Sequence, residues 1–311
     1  MSLQRALELA DRARGTAYPK PTIGAVVVRE DEIVGEGVTE AAGRHGEIVA
    51  LQAAGARARG ATLYVTMEPC AHHGTTPPCV DAIVAAEVAR VVAGSRDPNP
   101  EAAGGLERLE AAGVAVELAD SIEARRQNEA WRTWVEHGRP FVTYKAAVTV
   151  DGRVTVPGSR WVSGEPSRRL VHELRAVSDA VAVGMGTVRL DSPRLDAREV
   201  GAERQPRRLA FGKGPLPYGS ALELRTGPLE LELRALAAEG VQSLLLEGGP
   251  TLAGAFLRAG LVDKLLLFVA PTLSGSGPGL TDRLDAPLTL VHLTSRRVGD
   301  DVLLEAYLRE P

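Results

Sequence analysis

Short apolar runs alternate with helical patterns along almost the whole chain, and this alternation restricts the fold more than any other feature. The first part of the sequence predicts five strands, at 23–28, 33–38, 61–66, 88–93 and 114–118. Helices are predicted from Ser2 and at 47–59, 80–86 and 105–112. Strands that alternate with helices are typical of layered α/β domains. The predicted fold class is therefore α/β.

A domain boundary is predicted near Gly138, Arg139 and Pro140, which follow a polar helical segment at 120–137. A helix stop followed by proline is typical of such a boundary, and 311 residues exceed what one core usually serves. A second α/β pattern follows. Its predicted strands are 141–150, 180–183, 208–211, 243–246 and 264–269, and its helices are 165–176, 229–239 and 251–259, with 212–227 as a loop. We expect domains at 1–138 and 139–311.

Composition excludes some classes of partner. The net charge of −4 gives no reason to expect binding to nucleic acid or to a membrane surface. No apolar run approaches the roughly 18 residues that span a bilayer, and the amphipathic N-terminus lacks the apolar core of a signal peptide. We expect a cytoplasmic protein. In that compartment thiols stay reduced, so a structural disulfide is not expected.

Both cysteines, Cys70 and Cys79, lie in one loop of sequence EPCAHHGTTPPC. A disulfide, a metal site or a pair of inert thiols would each explain this concentration. His45 and Glu47 lie upstream as His-x-Glu at the start of a predicted helix. One imidazole and two thiolates hold zinc and leave a fourth position for water, and this order of residues is typical of zinc nucleobase deaminases. The sequence therefore predicts a zinc site formed by His45, Cys70 and Cys79.

Glu47 is predicted to shuttle protons rather than to bind the metal. A metal that lowers the pKa of water supplies hydroxide at neutral pH, and a nearby carboxylate can move the proton to the substrate. His72 is interpreted as a substrate contact and His73 only as a loop residue. The alternative is that both histidines simply line the loop. Neither is predicted to bind zinc, since a fourth protein ligand would block the open position.

The eight residues between the cysteines carry a more specific signal. Pro-Cys-x-His-His-Gly-x-Thr-Pro-Pro-Cys closely resembles the bifunctional deaminase–reductases of riboflavin biosynthesis. Nearly the whole chain shares further motifs with this family: Asp97-Pro98-Asn99-Pro100, Lys145 with Asp151-Gly152, Trp161-Val162-Ser163, Gly184-Met185-Gly186-Thr187-Val188 with Asp191 and Pro193, the segment from Glu247 to Leu252, and Ala270-Pro271.

The resemblance implies a cytidine-deaminase-like three-layer domain followed by a dihydrofolate-reductase-like α/β domain. The first domain would remove, with Zn²⁺, the 2-amino group of a phosphoribosylaminopyrimidine. The second would reduce the ribosyl side chain to ribityl with NADPH. A homodimer through the reductase domains is also implied.

Residues of the second half can be given roles through the resemblance. Lys145, Arg175 and Arg198 lie at ends of predicted elements, where cations can bind an anionic substrate. The segments at 184–188 and 247–250 follow strands, so their backbone can approach a cofactor. The implied substrate contacts are Lys145, Ser163, Arg175, Arg198 and Glu247. The implied NADPH contacts are Trp161, Gly184, Gly186, Thr187, Gly248 and Gly249, with Asp191 close to the hydride-transfer site.

Several pocket positions depart from the family pattern. Lys20 stands where a substrate-binding amide is expected, Ala71 replaces a serine, and Thr75 replaces a basic residue. The segment that ends at Gly105 lacks an arginine, and Gly212 follows a strand where an aspartate is expected. Lys20 can restore the lost charge and bind the substrate phosphate. The alternatives are a reductase whose first domain folds around structural zinc, an enzyme for another aminopyrimidine, and a non-enzymatic zinc scaffold.

Overall fold

The structure, a computed structural model, describes residues 2–13, 18–41, 43–74 and 77–311. It divides into two compact units, Met1–His137 and Gly138–Pro311. Both units combine helices with a β-sheet, so the predicted α/β class is confirmed. Across the described part of the chain, none of the helices has the length and apolar character that crossing a bilayer requires.

The first unit contains a five-stranded sheet of order β2-β1-β3-β4-β5. The strands are β1 (Gly24–Arg29), β2 (Glu32–Val38), β3 (Thr62–Val65), β4 (Arg90–Ala93) and β5 (Ala115–Leu118), and the helices are α1 (Ser2–Arg12), α2 (Gly46–Ala54), α3 (Cys79–Ala85), α4 (Gly105–Ala111), α5 (Ile122–Gln127) and α6 (Glu129–His137). β3, β4 and β5 run parallel. The core packs Leu63, Ile83 and Leu109 between sheet and helices.

The second unit contains an eight-stranded sheet of order β12-β13-β11-β6-β10-β7-β8-β9. The strands are β6 (Phe141–Thr149), β7 (Ala180–Gly184), β8 (Arg207–Phe211), β9 (Glu223–Arg225), β10 (Ser243–Leu246), β11 (Lys264–Ala270), β12 (Val291–Val298) and β13 (Asp301–Tyr307). The helices are α7 (Glu165–Val177), α8 (Met185–Asp191), α9 (Leu229–Ala238) and α10 (Pro250–Arg258). The strands β6, β10, β7 and β8 are consecutive parallel neighbours. Their carboxyl ends therefore lie at one edge of the sheet.

Every predicted strand is present within two residues of its predicted bounds, but three segments differ from the prediction. The single helix predicted at 120–137 is wrong, because Asn128 leaves the helical conformation between α5 and α6. Its side chain instead accepts from the Thr22 N–H and donates to the Thr22 carbonyl. The predicted loop at 212–227 contains the short strand β9. The hairpin of β12 and β13 was not predicted, since β12 is largely exposed and lacks an apolar pattern.

A buried ion pair fixes the beginning of the second unit. Asp263 accepts two hydrogen bonds from the Arg139 guanidinium, at 2.6 and 2.7 Å, and one from the backbone N–H of Val142 at 2.8 Å. The side chains of Arg139 and Asp263 are only 10% and 4% exposed. Asp263 therefore ties the first residues of β6 to the segment that precedes β11.

Replacement of Asp263 should destabilise the protein strongly. In Asp263→Asn the buried Arg139 guanidinium loses its counter-charge, and breaking a buried pair in this way costs about 3–5 kcal/mol. Urea unfolding of the full chain, followed by circular dichroism, should show this loss. The control is Asp285→Asn, which changes an exposed carboxylate in the same unit. Equal stability of the two variants would contradict the anchoring role of Asp263.

Candidate active sites

The first unit brings His45, Cys70 and Cys79 together. Their ligand atoms all lie within 4.8 Å of one another. His45 Nδ1 is 3.2 Å from the Cys79 Sγ and 3.6 Å from the Cys70 Sγ, and both thiols are free. One imidazole nitrogen and two sulfurs are the donor set that zinc prefers, so the three residues predicted as ligands fit the metal.

Local structure places each ligand at the end of an element. His45 is the extended residue that precedes α2, with φ −76° and ψ 148°. The next residue, Gly46, packs so closely on the sheet that a Cβ would lie 2.3 Å from the Ile23 carbonyl oxygen. Cys79 opens α3, and its backbone N–H donates to the Cys70 Sγ at 3.3 Å. The glycine of His-Gly-Glu is thus required by the packing of α2 on β1.

Glu68 holds the loop that carries Cys70. Its side chain is fully buried, and it accepts from the N–H groups of Asp97, Gly104 and Leu106 at 3.2, 3.1 and 3.1 Å. Opposite this loop, a Cβ on Gly105 would lie 1.8 Å from the Pro69 carbonyl oxygen. Sequence reasoning missed Glu68. The only available signal was an acidic residue directly before Pro-Cys.

The protonation of the two thiols is coupled. The hydrogen bond from Cys79 lowers the pKa of Cys70 to about 4, despite its burial. The same hydrogen bond, together with burial, raises the pKa of Cys79. Zinc requires thiolate ligands, so its binding favours loss of the thiol protons.

Glu47 is buried beside the cluster. Its exposure is 3%, and burial raises its pKa. The Oε2 atom has no hydrogen-bond partner among the described residues. A buried carboxylate oxygen without a partner is costly for a purely structural role. This position fits a group that holds and transfers a proton next to the metal.

Lys20 and His72 are the two residues predicted to bind substrate in the first unit. The Lys20 Nζ is 3.3 Å from the position of a Cβ on Gly43. The hydrogen bond to Cys70 raises the pKa of His45, and the charge of Lys20 opposes this shift. The His72 Nδ1 is buried without a partner among the described residues. Thr75, a departure in the same loop, lies outside the residues that the structure describes.

The second unit contains a cavity of about 980 Å³ above the carboxyl ends of its central strands. Most of the residues predicted for this half line it. They are Lys145, Trp161, Ser163, Arg175, Thr187, Asp191, Arg198, Glu247, Gly248 and Gly249. Gly184 and Gly186 do not line it. Gly184 ends β7, where a Cβ would contact Leu252 of α10 at 3.4 Å, and a Cβ on Gly186 would meet open space.

Two cations face one carboxylate at the floor of this cavity. Arg175 binds Glu247 through two hydrogen bonds of 2.6 and 3.0 Å, and the Lys145 Nζ is 3.6 Å from the same carboxylate. Burial alone would raise the pKa of Glu247, but Lys145 and Arg175 outweigh it and lower the pKa. Burial lowers the pKa of Lys145. Lys145 and Arg175 thus lie together beside one carboxylate, an arrangement that suits an anionic ligand.

A second set of contacts joins α7 to the segment after α8. The Asp196 carbonyl accepts from Arg175 Nη1 at 3.2 Å and lies 3.0 Å from His172 Nδ1, while the Asp196 carboxylate pairs with Arg198. His172 lines the cavity but was not predicted. Its position three residues before Arg175, on the same face of α7, was the available signal.

The loop that carries Trp161 and Ser163 is held by residues distant in sequence. Arg168 donates to the Ser163 carbonyl at 2.8 Å and lies 5.2 Å from the Trp161 ring. Asp301, at the start of β13, accepts from the Gly164 N–H at 2.8 Å and from the Ser167 hydroxyl at 2.5 Å. Sequence reasoning missed Asp301 because its partners lie more than a hundred positions earlier in the chain.

Two family models match the sequence. The cytidine and deoxycytidylate deaminase zinc-binding region matches residues 1–95, and the RibD C-terminal domain matches residues 140–215 and 223–304. The chain is 43% identical to the riboflavin biosynthesis protein RibD of Mycobacterium tuberculosis strain H37Rv, over 98% of this chain and 96% of that protein. The chain belongs to the RibD family. RibD of Escherichia coli K12 is 39% identical over 97% of each protein.

Solved structures of RibD proteins are similar over the whole chain. Acinetobacter baumannii RibD is 33% identical with a TM-score of 0.85, covering 98% of this chain and 97% of that one. A Thermotoga maritima structure, described as a diaminohydroxyphosphoribosylaminopyrimidine deaminase/5-amino-6-(5-phosphoribosylamino)uracil reductase, is 31% identical with the same TM-score and coverage. Like these RibD proteins, the chain fuses a zinc-binding deaminase domain to an NADPH-dependent reductase domain. The family, the fold and both cofactors predicted from the sequence are therefore confirmed.

The purified protein should contain about one zinc ion per chain, because three ligands converge in the first unit. Elemental analysis should show that Cys79→Ser loses most of this metal, since the hydroxyl is a poor zinc ligand. The control is His73→Ala, which changes an exposed residue of the same loop and should retain the zinc. Full metal content in Cys79→Ser, or loss in His73→Ala, would contradict the assignment of the ligands.

Proposed function

We propose that the chain catalyses two consecutive steps of riboflavin biosynthesis. Residues 1–138 deaminate 2,5-diamino-6-(5-phosphoribosylamino)pyrimidin-4-one, and residues 139–311 reduce the ribosyl group of the resulting uracil to ribityl with NADPH. The observation that carries the proposal is the buried Glu47 beside the cluster of His45, Cys70 and Cys79, with an Oε2 that has no hydrogen-bond partner among the described residues. The substrate named for the Thermotoga maritima structure supports the choice of pyrimidine.

In the deaminase reaction, Glu47 acts as the general base and then as the general acid. Zinc, when bound, lowers the pKa of water from 15.7 toward about 7. The Glu47 carboxylate accepts the proton of the attacking water and delivers it to the ring nitrogen. It then accepts the second proton from the added hydroxyl group and gives it to the departing amine, so that water enters and ammonia leaves.

Lys20 and His72 are proposed to bind the substrate of the first unit. Lys20 supplies a cation whose charge acts on His45, and this cation can pair with the phosphate. His72 has a buried nitrogen that is available for a hydrogen bond. The two residues therefore offer a charge and a polar contact to the substrate.

In the reductase reaction, the cavity of the second unit binds substrate beside the nicotinamide. Lys145, Arg175 and Arg198 provide positive charge for the sugar phosphate, and Ser163 and Glu247 provide polar contacts. Trp161 packs against the nicotinamide, and Asp191 lies close to the hydride-transfer site. The remaining contacts with NADPH are assigned to the segments that contain Gly184, Gly186, Thr187, Gly248 and Gly249. Hydride transfer itself depends mainly on this positioning.

A second candidate function is reduction alone, with the first unit folded around structural zinc. Lys20 and Ala71 favour it, since both replace residues of the family's substrate pocket. The buried Glu47 argues against it, because a structural zinc site gains nothing from a carboxylate oxygen without a partner. An enzyme for a different aminopyrimidine would retain Glu47 and also explain the changed pocket.

We further propose a cytoplasmic homodimer that forms through the second units. Leu273 and Leu293 are 75% and 61% exposed, and Leu293 belongs to the open edge strand β12. Apolar side chains on an unpaired strand edge support association with another copy.

Glu47→Gln should abolish deamination while zinc content and reduction of deaminated substrate stay unchanged. An amide cannot transfer the proton, although it is close to the carboxylate in volume. General acid–base catalysis contributes about 10²–10⁴-fold, and because one residue handles every proton here, the loss should reach at least the upper value. Product formation by liquid chromatography and zinc by elemental analysis are the two measurements.

The control is Glu110→Gln, which changes an exposed carboxylate on α4 and should deaminate normally. Deamination by Glu47→Gln within about tenfold of the wild type would assign proton transfer to another group. His72 would then be the next candidate.

A further inference from the structure

The order of strands in the second unit places the loop after β8 next to the elements that line the cavity. The cavity takes Lys145 from β6, Glu247 from the end of β10, and Thr187 and Asp191 from α8, which follows β7. The next parallel strand beyond β7 is β8. Neighbouring strands are about 4.8 Å apart, so the loop after β8 is within reach of the adenosine half of a dinucleotide whose nicotinamide occupies the cavity.

The loop that follows β8 is built around two glycines. Phe211, the last residue of β8, pairs with Gly184. Gly212 has a φ of 132°, and a Cβ there would lie 3.1 Å from the Met185 side chain. Gly214 has a φ of 106°, and a Cβ there would lie 2.7 Å from Arg189 Nη2. Both glycines thus permit a close approach of this loop to α8.

Two cations meet in this loop. Arg189 of α8 donates from Nη2 to the Lys213 carbonyl at 2.7 Å, and both side chains are exposed. Neither has an acidic partner among the described residues. By contrast, Arg207 on the same strand β8 pairs with Glu223 and Glu239. The loop after β8 therefore presents two positive charges that no carboxylate compensates.

We propose that Arg189 and Lys213 bind the 2′-phosphate of NADPH and make the second unit selective for NADPH over NADH. The inference rests on the proposed reductase function, since it assumes that the nicotinamide occupies the cavity. A guanidinium and an ammonium suit a dianionic phosphate. NADH has a hydroxyl in its place and would leave both cations without a counter-charge.

Isothermal titration calorimetry of the full chain with 2′,5′-ADP and with 5′-AMP tests the proposal, because the two probes differ only in the 2′-phosphate. The wild type should bind 2′,5′-ADP more tightly. Lys213→Ala and Arg189→Ala should each weaken the binding of 2′,5′-ADP about tenfold, which corresponds to about 1.4 kcal/mol. Each variant should change the affinity for 5′-AMP less than about twofold. The control is Arg234→Ala, which removes an exposed charge of α9 and should bind both probes as the wild type does.

Lys213→Glu is a second variant that keeps the backbone hydrogen bond from Arg189. It should weaken the binding of NADPH far more than the binding of NADH, because it places a negative charge next to the 2′-phosphate. The inference is overturned if the ratio of the affinity for 2′,5′-ADP to the affinity for 5′-AMP is unchanged in Lys213→Ala, Arg189→Ala and Lys213→Glu. That result would leave the reductase function intact. A wild type that binds neither NADPH nor NADH would instead contradict the reductase function, and this inference with it.

Discussion

Parallel strands place their carboxyl ends at one edge of a sheet, and both active sites depend on this constraint. In the first unit, β3 leads to Cys70 and its parallel neighbour β4 leads to Asp97. In the second unit, β6 carries Lys145 and β10 leads to Glu247. Residues far apart in sequence are thereby brought within bonding distance. Two chemically unrelated reactions can therefore use the same arrangement of parallel strands.

Buried carboxylates then hold the loops at these edges. Glu68 accepts three backbone N–H groups beneath the cysteine loop, and Asp301 accepts from Gly164 and Ser167 beside Trp161 and Ser163. Loops carry many polar groups that must be satisfied once they are buried. Because a carboxylate can accept several hydrogen bonds, one side chain fixes a whole segment. Each site therefore relies on an acidic side chain that holds its loop through hydrogen bonds to other protein groups.

The sequence alone was sufficient to predict structure and site residues where the pattern that identifies them is local. The His45-x-Glu47 spacing and the two cysteines identify the metal cluster, because each ligand lies at the end of an element that the hydrophobic pattern predicts. It was insufficient to predict features that depend on a hydrogen-bonding or strand-pairing partner elsewhere in the chain. The break at Asn128 depends on Thr22, and nothing in the helical pattern at 120–137 indicates it. The exposed strand β12 has no apolar pattern to detect, since it is held through backbone pairing with β13.

The central claim is that both units act in sequence on one substrate, and mass spectrometry of the wild-type reaction tests it most directly. With the diaminopyrimidinone phosphate alone, the product should gain about one mass unit, because oxygen replaces an amino group. Addition of NADPH should then give a further gain of about two mass units, the two hydrogens of a reduction. No change before NADPH is added, or a gain of two units without the gain of one, would contradict the account.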